Sequence, residues 1–118
     1  MGLAVNELEI SIINIIVNAG ETKSYAYEAL AKANETKYEE ADRLMKKANE
    51  ALNLAHNAQT EMLHKEASGQ KIEISVLFIH AQDHLMTAIS EKNLIEQIIE
   101  LRKVVNTLVK NKGEKSND

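Results

Sequence analysis

Three side chains that could do chemistry lie within five positions of the sequence, at His80, Asp83 and His84. Their spacings of three and four place all three on one face if this stretch is helical. A neutral imidazole offers a nitrogen lone pair to phosphorus or to a metal, and a carboxylate binds cations. The surrounding stretch, Ser75 to Ser90, is otherwise strongly apolar, and ionisable groups in apolar surroundings need partners. These residues are therefore the first candidates for a functional site.

The histidine pair has more than one interpretation. Side chains at i and i+4 direct both imidazoles at one point, so His80 and His84 could form half of a zinc site. The residues between them, Ala81, Gln82 and Asp83, lack the glutamate of a His-Glu-x-x-His metalloprotease, which argues against that class of enzyme. On spacing alone, a solvated or structurally hydrogen-bonded pair is as well supported as a functional one.

Asp83 also has several explanations. Its carboxylate could form a salt bridge to a neighbouring helix, or a local hydrogen bond that fixes His80. A third explanation is a bound cation, because leaving a buried carboxylate ionised and alone costs several kcal/mol. The residue types alone leave these alternatives open.

A second polar row comprises His56, Thr60 and His64. It lies beside charged residues and off the apolar pattern of its segment, so we expect it to face solvent. Gln59 and Thr60 could still line a groove between helices. This row is a weaker candidate for a site than His80 and its neighbours.

The composition predicts an all-α domain as the scaffold for these residues. The chain has 118 residues, enough for one domain, with no proline and only four glycines. Alanine, leucine, isoleucine, glutamate, lysine and asparagine dominate, which favours helix nearly everywhere and leaves few strand signals. No cysteine is present, so disulfides, thiolate chemistry and cysteine-ligated zinc are excluded.

Charge and hydropathy argue against two kinds of partner. The net charge is −4, and the 14 basic residues are scattered among 18 acidic ones, without the basic stripe that nucleic-acid binding requires. The apolar run from Ile10 to Val17 is too short to span a bilayer and lacks the flanks of a signal peptide. We therefore expect a soluble, cytoplasmic protein with no nucleic-acid partner and no membrane insertion.

Two interruptions divide the chain into three helical segments. They are "ANETKYEE", near Asn34, and "ASGQKIE", around Gly69. Each segment spans about 45 Å if fully helical, and we expect His80 roughly two turns inside the third, out of reach of its N-terminal amides. Residues 1–110 form the predicted domain, and the polar stretch "NKGEKSND", residues 111–118, is predicted to be a disordered tail.

Each segment carries an apolar seam with alternating spacings of three and four, the pattern of packed helices. The seams are Val5, Leu8, Ile12, Ile15, Ala19, Ala26, Ala29 and Ala33 in the first segment; Ala41, Leu44, Ala48, Ala51, Ala55, Ala58 and Met62 in the second; and Leu94, Ile98, Leu101, Val105 and Leu108 in the third. If the spacing of the third seam is continued toward the N-terminus, it passes through His84 and His80. The polar residues therefore lie on the continuation of a predicted core stripe.

These seams predict an antiparallel three-helix bundle with short connections. The alanines of the second seam allow a neighbouring helix to approach closely. Ile10, Ile13, Ile16 and Val17 widen the first seam, and the apolar surface exceeds what one three-helix bundle can bury. We therefore expect an oligomer, assembled through the third helix.

The string "HAQDHLMTA", residues 80–88, resembles the lactose/cellobiose-type enzyme IIA family of the bacterial phosphoenolpyruvate-dependent sugar phosphotransferase system. Supporting stretches are "IINIIVNAGETKSYAYEALAKA" and "EALNLAHNAQTEMLHKEASG", so the resemblance covers almost the whole chain up to about Lys110. Alanine at position 81, together with "SYAYEAL", is more similar to the cellobiose and diacetylchitobiose members than to the lactose ones.

This resemblance implies a phosphoryl carrier. His80 would be the phosphorylated histidine, modified at Nε2. It would accept a phosphoryl group from the phosphocarrier protein HPr and pass it to a cysteine of the cognate enzyme IIB, during uptake of a β-disaccharide through the membrane enzyme IIC. Gln82 and His84 also match the family motif, and would support the active site or the subunit contact.

The resemblance further implies a homotrimer of three-helix subunits, a nine-helix bundle. Asp83 from each subunit would meet at the threefold axis around a divalent cation, Mg²⁺. From the residues alone, a function of a different class stays open. It is a helical oligomerisation or metal-binding module without phosphotransfer, in which His80, Asp83 and His84 are purely structural.

Overall fold

The computed structural model describes residues 7–116. Its three helices are α1 (Glu7–Asn34), α2 (Tyr38–Ala67) and α3 (Val76–Ser116), and this part of the chain contains no strand. Short connections make consecutive helices antiparallel, so the predicted all-α three-helix bundle is confirmed. None of these helices combines the length and hydropathy that a membrane-spanning segment needs. Val5, assigned to the first seam, lies outside the described residues.

One backbone motif ends both α1 and α2. In each case the amide of one residue donates a hydrogen bond to the carbonyl five residues earlier, and the amide of the residue before it donates to the carbonyl three residues earlier. After α1, the amide of Lys37 donates to the carbonyl of Lys32, and the amide of Thr36 donates to that of Ala33. After α2, the amide of Gln70 donates to the carbonyl of Lys65, and the amide of Gly69 donates to that of Glu66. The motif requires a positive φ, which is +62° at Thr36 and +99° at Gly69. Glycine adopts this conformation freely and threonine does not, so the second interruption carries the clearer sequence signal.

α3 begins at a serine cap and is longer than predicted. The amide of Phe78 donates to Oγ of Ser75 at 3.1 Å, and the amide of Ile79 donates to the Ser75 carbonyl at 3.1 Å. The helix then runs for 41 residues, to Ser116. Residues 111–116, expected to be part of a disordered tail, are helical, and no proline follows Lys110 to stop the helix. Residues 117–118 lie outside the described part.

The core is narrow and lined largely by alanine. Buried side chains form two clusters, one around Ile15 and Leu85 and the other around Met45 and Ile95. The predicted seams supply it: the α1 seam is buried from Ile12 onward, and the α2 seam is buried except for a half-buried leucine. Small side chains allow the helices to approach closely along both seams.

α3 packs into this core through a different row from the one predicted. The buried residues are Ala81, Leu85, Ala88, Lys92, Ile95 and Ile99. The predicted row of Leu94, Ile98, Leu101, Val105 and Leu108, called the exposed α3 seam below, lies on the outside, and Leu101 is 64% exposed. The prediction was wrong about the packing row because α3 is apolar on two adjacent rows, and α1 and α2 contact only one of them.

Candidate functional site

His80 and His84 lie side by side on α3, as their spacing predicts. Their ring centroids are 5.7 Å apart, with 14° between the ring planes. His80 is exposed, whereas His84 is half-buried against α1. The pair therefore lies at the edge of the bundle, with one ring open to solvent and the other held between two helices.

The N-terminus of α3 lies closer to His80 than predicted. His80 is the fifth residue of this helix, about one turn from its start at Val76, and not two turns inside it. The preceding residues are not helical, and Ile72 among them packs on the core. The positive end of the helix dipole is consequently about 6 Å along the axis from His80, where it favours negative charge.

A lysine from α1 contacts the half-buried histidine. Nζ of Lys23 lies 3.1 Å from Nδ1 of His84 and donates to Oγ1 of Thr87 at 2.8 Å. One carboxylate oxygen of Glu91 is 3.6 Å from the same ammonium, and the Tyr27 hydroxyl donates to the other oxygen at 3.2 Å. These five residues, called the Lys23 network below, follow the groove between α1 and α3.

The surroundings of His84 keep its imidazole neutral. Partial burial lowers the pKa of His84 below its ordinary value of 6.5, and the nearby charges of Lys23 and His80 lower it further. The carboxylates of Asp83 and Glu91 oppose this shift. Since the net shift is downward, His84 is neutral at pH 7 and retains a nitrogen lone pair that accepts a hydrogen bond.

Gln82 connects α3 to α2 and not to α1. Its Oε1 accepts a hydrogen bond from Nε2 of Gln59 at 3.0 Å. Gln59 was expected as a possible groove residue, and both side chains are half-buried. Gln82 thus lies between the two histidines in sequence but is tied to the other neighbouring helix.

Through its side chain, Asp83 takes part neither in the Lys23 network nor in the hydrogen bond between Gln59 and Gln82. Its side chain is exposed, and it makes no salt bridge or hydrogen bond within residues 7–113. The structure therefore contradicts both local explanations, a bridge to a neighbouring helix and a bond to His80. Ile79 and Met86, one turn to either side, are 58% and 56% exposed. The carboxylate lies on an apolar surface of the chain.

Potential metal ligands are dispersed over the described part of the chain. Among the described residues, no three histidine, cysteine, aspartate or glutamate side chains form a group that could hold a metal ion. The interpretation of His80 and His84 as half of a zinc site thus finds no further ligands on this part of the chain. His56, Thr60 and His64 are exposed, which confirms the prediction that their row faces solvent.

Lys23 and Tyr27 were not predicted as part of the site. Their spacing of four residues is a signal that could have identified them, because it places both on one face of α1. That face borders the buried Thr22 and Ala26. Which residues of α3 lie opposite depends on the register between two helices, which no local pattern determines.

The family model for the lactose/cellobiose-specific IIA subunit of the phosphotransferase system matches residues 10–103. The lichenan-specific phosphotransferase enzyme IIA component of Bacillus subtilis (strain 168) is 44% identical over 95 residues, covering 80% of this chain and 86% of the relative. The range matched by the family model includes Lys23, His80 and His84.

Solved structures agree with the fold. The crystal structure of the cellobiose-specific enzyme IIA from Bacillus anthracis aligns with a TM-score of 0.83 and 48% identity, covering 86% of this chain and 94% of that one. The Escherichia coli chitobiose IIA, solved in solution as a complex with HPr, aligns with a TM-score of 0.74 and 36% identity, covering 86% and 98%. Sequence and fold thus give one answer: the chain belongs to the lactose/cellobiose-specific enzyme IIA family, whose members are phosphotransferase components of the sugar phosphotransferase system.

Proposed function

We propose that this chain carries phosphoryl groups between two proteins of a sugar phosphotransferase system, with His80 as the acceptor. The observation that carries the proposal is the exposed imidazole of His80 within "HAQDHLMTA", inside the stretch that the family model matches. Two partners must reach a carrier residue in turn. An exposed ring on a continuous helix meets that requirement.

The proposed transfer consists of two in-line substitutions at phosphorus. A lone pair on Nε2 of His80 forms a bond to phosphorus as the bond between phosphorus and HPr breaks. A cysteine thiolate of enzyme IIB then attacks the same phosphorus, and the nitrogen–phosphorus bond breaks with its electron pair returning to Nε2. Such steps depend mainly on positioning and charge stabilisation. The groups available for this are His84, the N-terminus of α3 and the partner protein.

The proposed partners are HPr, the cognate enzyme IIB and, indirectly, the membrane enzyme IIC. The solved complex of the E. coli chitobiose relative with HPr supports the first of them. HPr and enzyme IIB would use one shared surface around His80, because each must reach the same nitrogen. The sugar would be a β-disaccharide, with cellobiose or diacetylchitobiose favoured over lactose by the resemblance at Ala81.

Incubation of the purified protein with phosphoenolpyruvate, enzyme I and HPr tests this function. We expect one phosphate per chain, labile in acid and stable in base, as a phosphohistidine is. The alternative function, a helical oligomerisation or metal-binding module, predicts no incorporated phosphate. Omitting HPr provides the control, since direct labelling by enzyme I would contradict the proposed order of transfer.

We further propose that three chains assemble into a homotrimer, a nine-helix bundle with α3 at the centre. The exposed α3 seam supports this, because it places leucine, isoleucine and valine side chains in water along one side of a protomer. Ile79 and Met86 extend the same surface toward the N-terminus of α3. Packing three α3 helices around a threefold axis would remove this surface from water.

Asp83 fits a metal site shared between chains. A single carboxylate supplies too few ligands, whereas three carboxylates and water would supply the oxygen ligands that Mg²⁺ prefers. An oxygen-only donor set favours Mg²⁺ over zinc, and it leaves His80 free to react. When bound, the ion would supply the positive charge that offsets three carboxylates on the axis.

Asp83→Leu is expected to leave a trimer at least as stable as the parent and insensitive to EDTA. The substitution removes mutual repulsion among three carboxylates, and apolar replacements of buried ionic groups are often neutral or stabilising. Thermal melts with and without EDTA, together with sedimentation mass, measure both effects. Glu61→Leu removes a charge from the exposed face of α2 and serves as the control. An Asp83→Leu protein that dissociates would contradict this role.

A further inference from the structure

Lys23 belongs to α1, yet its ammonium contacts the α3 side chains that follow His80. Nζ lies 3.1 Å from Nδ1 of His84 and 2.8 Å from Oγ1 of Thr87, residues 61 and 64 positions away along the chain. The Lys23 side chain is 24% exposed and lies 3.6 Å from the Glu91 carboxylate. Three contacts thus hold the ammonium in place on the side of His84 that faces α1.

This contact selects one tautomer of His84. A lysine ammonium has hydrogens to donate and no lone pair, so Nδ1 of His84 must be the acceptor. In the neutral ring, the proton then resides on Nε2. The hydrogen bond that one ring nitrogen of a histidine makes determines which of the two nitrogens carries the proton.

The orientation of His84 bears directly on His80. The two rings are nearly parallel, with a centroid separation of 5.7 Å. His80 is exposed and has no hydrogen bond to another side chain within residues 7–113, so the stacked ring of His84 is its ordered neighbour on the helix. A rotation of His84 would remove this neighbour and allow His80 more rotamers.

We propose that Lys23 is a positioning residue for phosphoryl transfer: it fixes His84 in the tautomer with a proton on Nε2, stacked against His80, and thereby orients the accepting imidazole. The inference rests on the proposed function. It deepens that function by assigning a role to a residue of α1 that does not itself touch phosphorus. The role requires hydrogen-bond donation, which arginine retains and methionine lacks.

Two substitutions at this position test the proposal. Lys23→Met is expected to slow phosphate acceptance from phosphorylated HPr by between tenfold and a hundredfold, the usual effect of misplacing a reacting group. Lys23→Arg is expected to restore most of the rate. Lys32→Met is the matched control, because Lys32 lies on the same helix and pairs with Glu35 and Glu40, away from the histidines.

Long-range proton–nitrogen NMR of the imidazoles, recorded at pH 8, provides the readout that a purely structural role would not change. In the parent and in Lys23→Arg, we expect an unprotonated Nδ1 and a protonated Nε2 at His84. In Lys23→Met we expect His84 shifts that average over both tautomers. Circular dichroism confirms that all three variants are folded.

The outcomes separate this inference from the function on which it rests. A parent protein that takes no phosphate overturns the proposed function, and the positioning role with it. A labelled parent with an equally fast Lys23→Met variant overturns the positioning role alone. So does a slow Lys23→Met variant whose His84 nitrogen shifts are unchanged, since the loss would then arise elsewhere.

Discussion

Replacing His80 with glutamine is expected to reduce phosphate acceptance by more than about a thousandfold while leaving the helical bundle intact. Glutamine keeps roughly the size and polarity of histidine but has no lone pair on nitrogen that attacks phosphorus. Because His80 is exposed, the change in the free energy of unfolding should stay within about 0.5 kcal/mol. Radiolabelled phosphoenolpyruvate with enzyme I and HPr measures acceptance, and a thermal melt measures stability.

His84→Gln is the matched control for that experiment. Glutamine can still accept a hydrogen bond from Lys23, although it cannot stack as an imidazole does. We therefore expect this variant to retain part of the acceptance. An inactive His84→Gln protein beside an active His80→Gln protein would reverse the assignment of the two histidines.

Leu101→Glu is expected to convert the proposed trimer into monomers. Leu101 is 64% exposed in the protomer, so a single folded chain tolerates glutamate there. In a trimer the same substitution would bring three carboxylates into an apolar interface, and the desolvation penalty is several kcal/mol for each ion. Sedimentation equilibrium should show a fall from the mass of three chains to that of one.

Thr107→Glu tests whether the position of the charge matters. It adds the same charge to an exposed residue of the same helix, roughly 120° around the axis from Leu101. This variant should remain associated like the parent. A parent that sediments as a monomer would overturn the trimer, and an associated Leu101→Glu protein would place the interface elsewhere.

The three helices and the two breaks between them could be predicted because their signals are local. Alanine-rich seams identify the buried rows of α1 and α2, and the breaks near Asn34 and Gly69 reflect the backbone preferences of a few residues. The packing row of α3 could not be predicted in the same way. Leu94 and Ile95 are similarly apolar neighbours, and only contact with α1 and α2 decides that Ile95 is buried.

Part of the site was equally accessible from the sequence. The adjacency of His80 and His84 follows from helical geometry. Once the buried row of α3 is known, the same geometry also places both histidines at the edge of the bundle. The Lys23 contact is different, because it joins residues more than sixty positions apart through the register of two helices. Periodicity describes each helix separately, so it cannot give the alignment between them.

Alanine makes up more than half of the buried apolar residues in the described part of the chain. Burying so small a side chain removes little area from water, and each Å² contributes only about 25 cal/mol. The larger leucine, isoleucine and valine side chains of the exposed α3 seam are covered only when chains associate. In a trimer, association would add to the stability of each folded chain, and the midpoint of thermal unfolding would rise with protein concentration. Dilution alone would lower that midpoint without any change in solvent.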